Sequence, residues 1–368
     1  MTPLLVKKIK TRYIITLGIL LVILLSSVFH LLLWVAANKL EASTVASIKK
    51  QNLAISQNGS HILENFFDNS QIQLYLLSEL EAVKKSEVEP NLNALKLFAQ
   101  QLNGKKDLYG AVGRVDKDGF GLGGINIPKL EMCHDCLGLS VKDRDYFIWA
   151  KEQTKSGNIY VTDPILARGG ISKDTYIIIM ATPVFYQNKF NGLVFLSFPL
   201  EKIKKQFITP LLISPDIKAA LISEDDYILC SPTADSAGKT LAQRFEVKDE
   251  RIKADFIKTI NNIQNINEGS FILEIPVPEV EGDFQKIIVG VSQLKIANTK
   301  WYMAILTFYE DIENINQPLK NIRNFMVYFV SIGFLLLSLI FILGLRIAQS
   351  RGFLNGLNHN HKKKKKNK

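Results

Sequence analysis

Residues 175–200 read TYIIIMATPVFYQNKFNGLVFLSFPL, and this stretch decides the fold. Two runs rich in β-branched and aromatic residues stand on either side of a short polar turn at 187–191. Such residues are enriched in strands, whereas Asn and Gly are enriched in turns, so the stretch predicts an antiparallel hairpin. A second pair of this kind follows later, FQKIIVGVSQL (284–294) and KWYMAILTFY (300–309). The chain therefore predicts two similar hairpins in series.

Each hairpin closes a larger predicted module. The strands expected ahead of the hairpins are DLYGAVGRVDKDGF (107–120), which runs into an Asp-Gly turn, KAALISEDDYILCSP (218–232) and SFILEIPV (270–277). A charged helical stretch is predicted over 240–263. The order strand, turn, strand, helix and antiparallel meander thus occurs twice, which predicts two related α+β modules over 95–205 and 206–322.

A long helix is predicted ahead of the modules, over 38–94. From Lys39 to about Val83 the chain has no proline and a single glycine, and apolar residues recur at helical spacing. We expect an interruption near Asn58–Gly59, and the pattern breaks at Glu89–Pro90–Asn91.

Two uncharged apolar stretches predict membrane spans. They are YIITLGILLVILLSSVFHLLLWVAA (13–37) and FMVYFVSIGFLLLSLIFILGL (325–345), of 25 and 21 residues. A helix needs about 20 apolar residues to cross the hydrocarbon core, so both are long enough. For the first stretch a cleaved signal peptide is the alternative, because Val35 and Ala37 fit a cleavage site. Its apolar part exceeds the roughly 7–15 residues of such signals, which favours a span.

The net charge of +10 is concentrated in the two tails. Lys7, Lys8, Lys10 and Arg12 precede the first span, and residues 346–368 carry eight further lysines and arginines with no acid. The positive-inside rule therefore predicts that both termini, 1–12 and 346–368, are cytoplasmic and that 38–324 lie outside the inner membrane of a bacterium. Nucleic-acid binding needs a basic face on a folded domain, so it is excluded here.

This organisation resembles the double Cache sensor domain of bacterial transmembrane receptors, whose modules are similar to PAS domains. The resemblance implies an α+β fold with a long N-terminal helix and two PAS-like antiparallel-sheet modules, flanked by two transmembrane helices. The segments that carry it are VKDRDYFIWA (141–150), similar to the family's Arg-x-Trp-Tyr segment, NIYVTDPI (158–165) after it, EDDYILCSPTADSAGKTLA (224–242), and the closing hairpins 181–203 and 288–312.

The resemblance implies a ligand pocket in the membrane-distal module around Arg144, Tyr146, Phe147, Tyr160 and Asp163. A guanidinium can hold a carboxylate with two hydrogen bonds, and aromatic side chains supply the walls. Here Tyr146 stands in place of the family's usual Trp, and Phe147 in place of Tyr. The alternative is that Arg144 pairs with a neighbouring aspartate and the aromatic residues belong to the core.

The ligand class follows from two acidic positions. Asp163 falls where amino-acid-binding members place an acid for the ammonium group, but the second acid is missing from FYQNKF (185–190). We therefore expect a carboxylate or another small polar metabolite at least as much as an amino acid.

Cysteine and glycine motifs give weaker indications. Cys133 and Cys136 enclose a His-Asp pair, but the His that c-type haem attachment requires after the second Cys is absent, and further zinc ligands are lacking. A disulfide and two unpaired thiols both remain open, and Cys230 is expected to be buried. The stretch 119–124 has the spacing Gly-x-Gly-x-x-Gly without a βαβ unit, so we interpret it as a connection between strands.

The sequence predicts a sensor without catalytic activity or cofactor, because no catalytic constellation is found. We expect a homodimer that binds a small molecule outside the membrane and signals across it; the alternative is a membrane-anchored structural or partner-binding protein without a ligand. The 23 residues from 346 to 368 are too short for the output module of a chemoreceptor, histidine kinase or diguanylate cyclase. Three explanations stay open: a lysine anchor on anionic lipid, a separate cytoplasmic output protein, or a truncated receptor.

Overall fold

A computed structural model of the chain describes residues 3–231, 238–240, 243, 267–276, 284–310, 317, 321–322, 324–340, 342–344 and 346–347. The chain divides into two compact units, one formed by Met1–Val45 with Ile312–Lys368 and the other by Ala46–Asp311. The predicted helix over 240–263 lies almost entirely outside the described residues.

The N-terminal helical region consists of three helices. Helix α1 covers Pro3–Ser78, α2 covers Glu81–Lys84 and α3 covers Val88–Gln101. The expected interruption at residues 58–59 is wrong, because α1 continues through them. The expected break at residues 89–91 is also wrong, because Pro90 lies in the first turn of α3. A proline is tolerated there, since the first backbone N–H groups of a helix have no partner within it.

Among the described residues, two helices are long and apolar enough to cross a membrane. They are Ile23–Ser78, which belongs to α1, and Asn324–Gly344, which we call α6. The first overlaps the predicted span 13–37 over residues 23–37, and the second matches the predicted span 325–345 to within one residue at each end; length and composition are the grounds for the assignment in each case.

The two modules are called distal and proximal here by the distance from the membrane that the sequence predicts for them, and the distal module contains a seven-stranded antiparallel sheet. Its strands are β1 Ala111–Val115, β2 Gly121–Asn126, β3 Glu131–Met132, β4 Tyr160–Val161, β5 Ile165–Leu166, β6 Tyr176–Tyr186 and β7 Lys189–Pro199. The order is β3-β2-β1-β7-β6-β4, and β5 also pairs with β6. Helix α4, Asp145–Glu152, lies between β3 and β4 in the chain. The predicted hairpin is confirmed as β6–β7, with positive φ angles at Gln187 and Asn188 in its turn.

The membrane-proximal module repeats the same strand order. A short helix α5, Leu200–Ile203, leads to the strands β8 Ile217–Ser223, β9 Ile228–Cys230, β10 Glu268–Pro276, β11 Phe284–Ile296 and β12 Thr299–Phe308. Their order is β10-β11-β12-β8-β9, which corresponds to β4-β6-β7-β1-β2 of the distal module. The prediction of two related α+β modules in series is confirmed.

The main hydrophobic core lies between α1 and the sheets of both modules. Phe67 of α1 contacts Phe198 of the distal sheet and Trp301 of the proximal sheet, each with ring centroids 5.1 Å apart. All three side chains are fully buried, and each such burial stabilises the fold by about 1.5–3 kcal/mol. A second cluster, which includes Tyr146 and Phe147 of α4, covers the opposite face of the distal sheet. The cavity described next lies on that opposite face.

Candidate functional site

A cavity of about 60 Å³ lies in the distal module. A water molecule needs about 10–15 Å³ by this measure, so the cavity has room for about four to six of them. Three parts of the module line it: the strands β1, β2, β6 and β7, the segment 136–146, and the segment 165–172. Most of the lining is apolar, namely Ala111, Val115, Leu139, Val141, Ile165, Leu166, Ala167, Ile171, Ile177, Ile179 and Phe195.

Arg144 lines the cavity and precedes the first turn of α4. Its guanidinium Nη2 donates a hydrogen bond of 2.9 Å to the carbonyl oxygen of Leu166. Among the described residues no carboxylate forms an ion pair with Arg144, and Asp143 pairs with Arg168 instead. Arg144 therefore keeps most of its five N–H donors for another acceptor.

Arg168 also lines the cavity and was missed by the sequence analysis. Its Nη1 and Nη2 atoms donate to Oδ1 and Oδ2 of Asp143 over 2.7 and 2.5 Å, the bidentate geometry of strong guanidinium–carboxylate pairs. These bonds lower the pKa of Asp143 to about 2. Asp143 already balances Arg168, and the donors of Arg114, the third arginine of the lining, are taken up by Ser86 Oγ and four backbone carbonyls. Arg144 is therefore the lining arginine with the most donors left for a ligand.

Tyr146 places a phenol group at the cavity. The side chain is 5% exposed and lines the cavity, and its hydroxyl has no hydrogen-bond partner among the described residues. Burial raises the pKa of Tyr146 to about 12, against the opposing effect of the positive charges of Arg144 and Arg168. The hydroxyl is therefore protonated at neutral pH and can donate a hydrogen bond.

The other predicted ligand residues lie outside the cavity lining. Phe147 is buried beside Phe190, with ring centroids 6.2 Å apart, and Tyr160 packs on Trp149 at 5.1 Å. Asp163 faces the proximal module, where its side chain hydrogen-bonds with Asp225 and Ser223, and burial and the Asp225 charge raise its pKa. Of the five residues, the structure brings only Arg144 and Tyr146 to the cavity, while the ligand roles of the others stay predictions.

The cysteines and the glycine stretch occupy one wall of the site. Cys133 and Cys136 form a disulfide, and Cys136 lines the cavity. The interpretation of 119–124 as a plain connection is wrong from Gly121 onward, because Gly121–Asn126 is strand β2. A Cβ at Gly121 would overlap the carbonyl oxygen of Cys136, so this close approach requires glycine. Cys230 is buried as expected.

The sequence model described as Cache domain matches residues 40–314. The chain belongs to the Cache-domain family. No curated protein sequence matches the chain.

Solved structures of receptor domains share the fold. An extracellular ligand binding receptor from Desulfohalobium retbaense is 12% identical, with a TM-score of 0.53. The match covers 70% of this chain and 40% of that chain, so this chain spans less than half of that receptor's length. The ligand-binding domain of the Pseudomonas fluorescens chemoreceptor CtaA in complex with L-serine is 15% identical, with a TM-score of 0.51 over 72% of this chain and 99% of that one. The Pseudomonas aeruginosa PctB domain in complex with L-Arg is 16% identical, with a TM-score of 0.53 over 74% and 93%.

Proposed function

We propose that this Cache protein is a two-span sensor of the bacterial inner membrane whose distal module binds a small carboxylate outside the membrane. The observation that carries the proposal is the composition of the cavity. Three arginines, Arg114, Arg144 and Arg168, and the protonated hydroxyl of Tyr146 line it, and none of its lining residues is an aspartate or a glutamate.

The recognition chemistry follows from the partners that each group already has. Arg168 is held by Asp143, whereas Arg144 is held by one neutral carbonyl oxygen. A ligand carboxylate fits between the free donors of Arg144 and the unpartnered hydroxyl of Tyr146. Hydrogen bonds of this charged kind contribute about 1.5–3 kcal/mol each when water is excluded.

The remaining lining favours a short aliphatic body on the ligand. Isoleucine, valine, leucine and alanine side chains form most of the wall, and the volume of about 60 Å³ admits a molecule of only a few heavy atoms. An α-ammonium group would have no acidic partner here, because Asp163 is turned toward Asp225. The relatives that bind L-serine or L-Arg are only 15–16% identical, so their ligands are not transferred to this chain.

Signalling requires a path from the distal module to the membrane. The loop after β11 contacts β4 of the distal module, where the Val161 amide donates to Oδ1 of Asn298 over 2.7 Å. A ligand transmits a signal only if it binds two conformations with different affinity. We propose that a displacement at β4 reaches the proximal module and then α6, in a homodimer whose termini are cytoplasmic.

Calorimetric titration of the full chain in lipid nanodiscs tests this function. Acetate, propionate, lactate and succinate are compared with L-serine and with propylamine. We expect binding of at least one carboxylate, and a loss of roughly 100-fold in affinity in Arg144→Ala, equal to about 2.7 kcal/mol.

The matched control is Lys142→Ala, which also removes one positive charge, two positions before Arg144. The Lys142 side chain lies over Phe120, with Nζ 4.0 Å from the ring centre. It is expected to change the affinity less than about threefold, because an exposed charge is largely screened. Equal losses in both variants, or no binding of any carboxylate, would overturn the proposal; the second outcome would favour a structural or partner-binding protein.

A further inference from the structure

One wall of the carboxylate cavity is built on the disulfide. Cys136 and Leu139 line the cavity, and the loop between them is fixed to β2 by two backbone hydrogen bonds. The Gly121 amide donates to the Leu139 carbonyl over 3.0 Å, and the Gly138 amide donates to the Gly121 carbonyl over 2.8 Å. The Cys133 amide adds a bond of 2.7 Å to the Gly124 carbonyl. The disulfide therefore closes a small loop that lies against the strand through its backbone.

The same disulfide packs against the segment that carries Arg168. A Cβ built on Gly170 would lie 3.3 Å from Sγ of Cys133 and 3.8 Å from Sγ of Cys136, and a Cβ on Gly169 would lie 3.2 Å from the Asp135 carbonyl oxygen. Both glycines line or flank the cavity wall, and Gly170 has a positive φ of 75°. The chain has glycine at both positions, where an added Cβ would make a tight contact with the cystine loop and, at Gly170, would also strain the backbone.

The disulfide and the segment of a cavity-lining arginine thus lie next to each other in space. Arg168 precedes Gly169 directly, and its Nη1 atom also lies 3.4 Å from the Ser140 carbonyl oxygen, just beyond the cystine loop. A change in the loop would move Leu139, Ser140 and the arginine segment together. The wall holding Arg168 is therefore supported by the Cys133–Cys136 bond.

We propose that the Cys133–Cys136 disulfide is a redox switch for the carboxylate site: the oxidised loop holds the binding geometry, and reduction by a dithiol opens the wall and weakens binding. The effect on affinity rests on the function proposed above. The effect on the wall itself does not.

The chemistry is a two-electron thiol–disulfide exchange. Cys136 lines the cavity and is 8% exposed, whereas Cys133 is 1% exposed, so the sulfur of Cys136 is the one attacked. A thiolate of the dithiol bonds to Sγ of Cys136 while the Cys133–Cys136 bond breaks, and Cys133 leaves as a thiolate that takes a proton. The second thiolate of the reductant then displaces Cys136, which is also protonated. The protein gains two electrons and two protons, and the reductant becomes a cyclic disulfide.

Hydrogen exchange on the full chain in nanodiscs tests the wall without a ligand. The Cys230→Ala variant is the background, because it leaves one disulfide and no other thiol. Dithiothreitol is expected to speed amide exchange by roughly tenfold or more in 133–139 and 166–172, while 288–291 of β11 stays unchanged. Unchanged exchange in both segments after complete reduction, verified by mass spectrometry, would overturn the switch.

Carboxylate titration of the oxidised and reduced forms tests the consequence for binding. We expect both reduction and the C133S/C136S variant to weaken carboxylate binding by roughly tenfold. Because binding and reduction are thermodynamically linked, a tenfold difference in affinity means that saturating carboxylate lowers the reduction potential of the disulfide by about 30 mV. Equal affinities in the two forms would overturn redox control while leaving the sensor function intact. Absence of binding in both forms would overturn the proposed function instead, and the exchange experiment would still decide whether the disulfide controls the wall.

Discussion

The two modules share one strand order but use it differently. The distal sheet carries a cavity with Arg144, Arg168 and Tyr146 on one face, whereas the described part of the corresponding face of the proximal sheet is a cluster of Ile287, Val289, Val291, Tyr302 and Ala304. The two sheets also differ in how they are attached to the N-terminal helices. The distal sheet buries the guanidinium of an arginine beside the α2–α3 connection, whereas the proximal sheet contacts the backbone of α1 closely.

The guanidinium buried in the distal module is that of Arg114, which is 0% exposed. Burial lowers its pKa to about 9, still well above neutral, so the group is charged. It donates to Ser86 Oγ and to four backbone carbonyls, those of Val83, Val115, Asn191 and Leu193. Backbone carbonyl dipoles thus replace water around this charge. The arginine also connects the α2–α3 segment to the distal sheet through hydrogen bonds.

The proximal sheet is attached to α1 by a close backbone contact. A Cβ on Gly290 would lie 2.4 Å from the backbone nitrogen of Leu53 in α1. Nearby, Nδ2 of Asn52 donates to the Ile288 carbonyl over 3.0 Å, and Ser60 Oγ donates to the Ser292 carbonyl over 3.1 Å. The comparison teaches that the distal module is arranged for recognition and the proximal module for rigid attachment to the helix.

The largest expected effect is the loss of the buried guanidinium. Arg114→Met removes all donors to four buried carbonyl groups, and we expect a loss of about 3–5 kcal/mol in the free energy of unfolding. Denaturant titration monitored by fluorescence measures it. The control Lys117→Met removes an exposed cation paired only with Asp118, and is expected to cost less than about 0.5 kcal/mol. A loss below about 1 kcal/mol for Arg114→Met would contradict the role assigned to this arginine.

The close contact of the proximal sheet predicts the next effect. Gly290→Ala places a methyl group against the α1 backbone, and we expect a loss of about 1–3 kcal/mol in the free energy of unfolding together with faster amide exchange near Asn52. Gly104→Ala is the matched control, because nothing lies within 4 Å of its added Cβ. If the two alanine variants lose the same free energy of unfolding, the contact between Gly290 and α1 is not tight.

A smaller effect is expected for the hydroxyl at the cavity. Tyr146→Phe removes one neutral donor to the carboxylate, which predicts a loss of roughly fivefold in affinity, equal to about 1 kcal/mol. Since the pKa of Tyr146 is about 12, the loss is expected to be the same at pH 6 and pH 9. Titration calorimetry at both values checks this. An unchanged affinity, or a loss only at pH 9, would exclude the hydroxyl as the donor.

The smallest effect concerns the contact between the modules. The pKa of Asp163 is raised by burial and by Asp225, so its folded form retains a proton that the unfolded chain loses. The wild type is therefore stabilised below the unfolded pKa near 3.8 and loses this contribution as the pH rises through the folded pKa.

We expect Asp163→Asn, whose amide can still donate to Asp225, to match the wild type near pH 3.5 and to be more stable by about 0.5–1 kcal/mol at pH 7. Thermal unfolding across this range measures the difference. The control Glu152→Gln, at an exposed position of α4, is expected to show a flat difference. A variant that is less stable than the wild type at pH 7 would show that the ionised Asp163 holds the modules together.

Much of the fold could be predicted from periodicity and composition. The hairpins β6–β7 and β11–β12 have strong two-residue alternation or continuous β-branched runs, and the uncharged stretches have the length of spans. The helix interruption predicted at residues 58–59 was wrong because the glycine lies inside α1 at a close contact: a Cβ on Gly59 would lie 2.8 Å from Cδ1 of Leu211 and 3.4 Å from Cε of Met303 in β12. Glycine marks close packing at this position, and the sequence alone cannot tell it from a break.

The site residues could be predicted where they belong to a recognisable sequence motif. They could not be predicted where the tertiary structure brings residues from separate segments together. Arg144 and Tyr146 stand in a segment with a recognisable pattern, whereas Arg168 lies in the loop ARGGIS (167–172), whose role depends on the cystine loop across the cavity. The arginine followed by two glycines was the only available signal. Asp163 is close to the motif in sequence, but β4 directs it to the proximal module, a tertiary outcome that spacing does not encode.

The central claim, that Arg144 makes the distal cavity a carboxylate site, is tested most directly by an isosteric pair. The carboxylate that binds best in the titration and its primary amide are compared on the full chain, wild type and Arg144→Ala. We predict that the wild type prefers the carboxylate by roughly 30-fold or more, about 2 kcal/mol, and that the preference falls to less than about threefold in the variant. Equal binding of carboxylate and amide by the wild type, or a preference that survives in the variant, would contradict the claim.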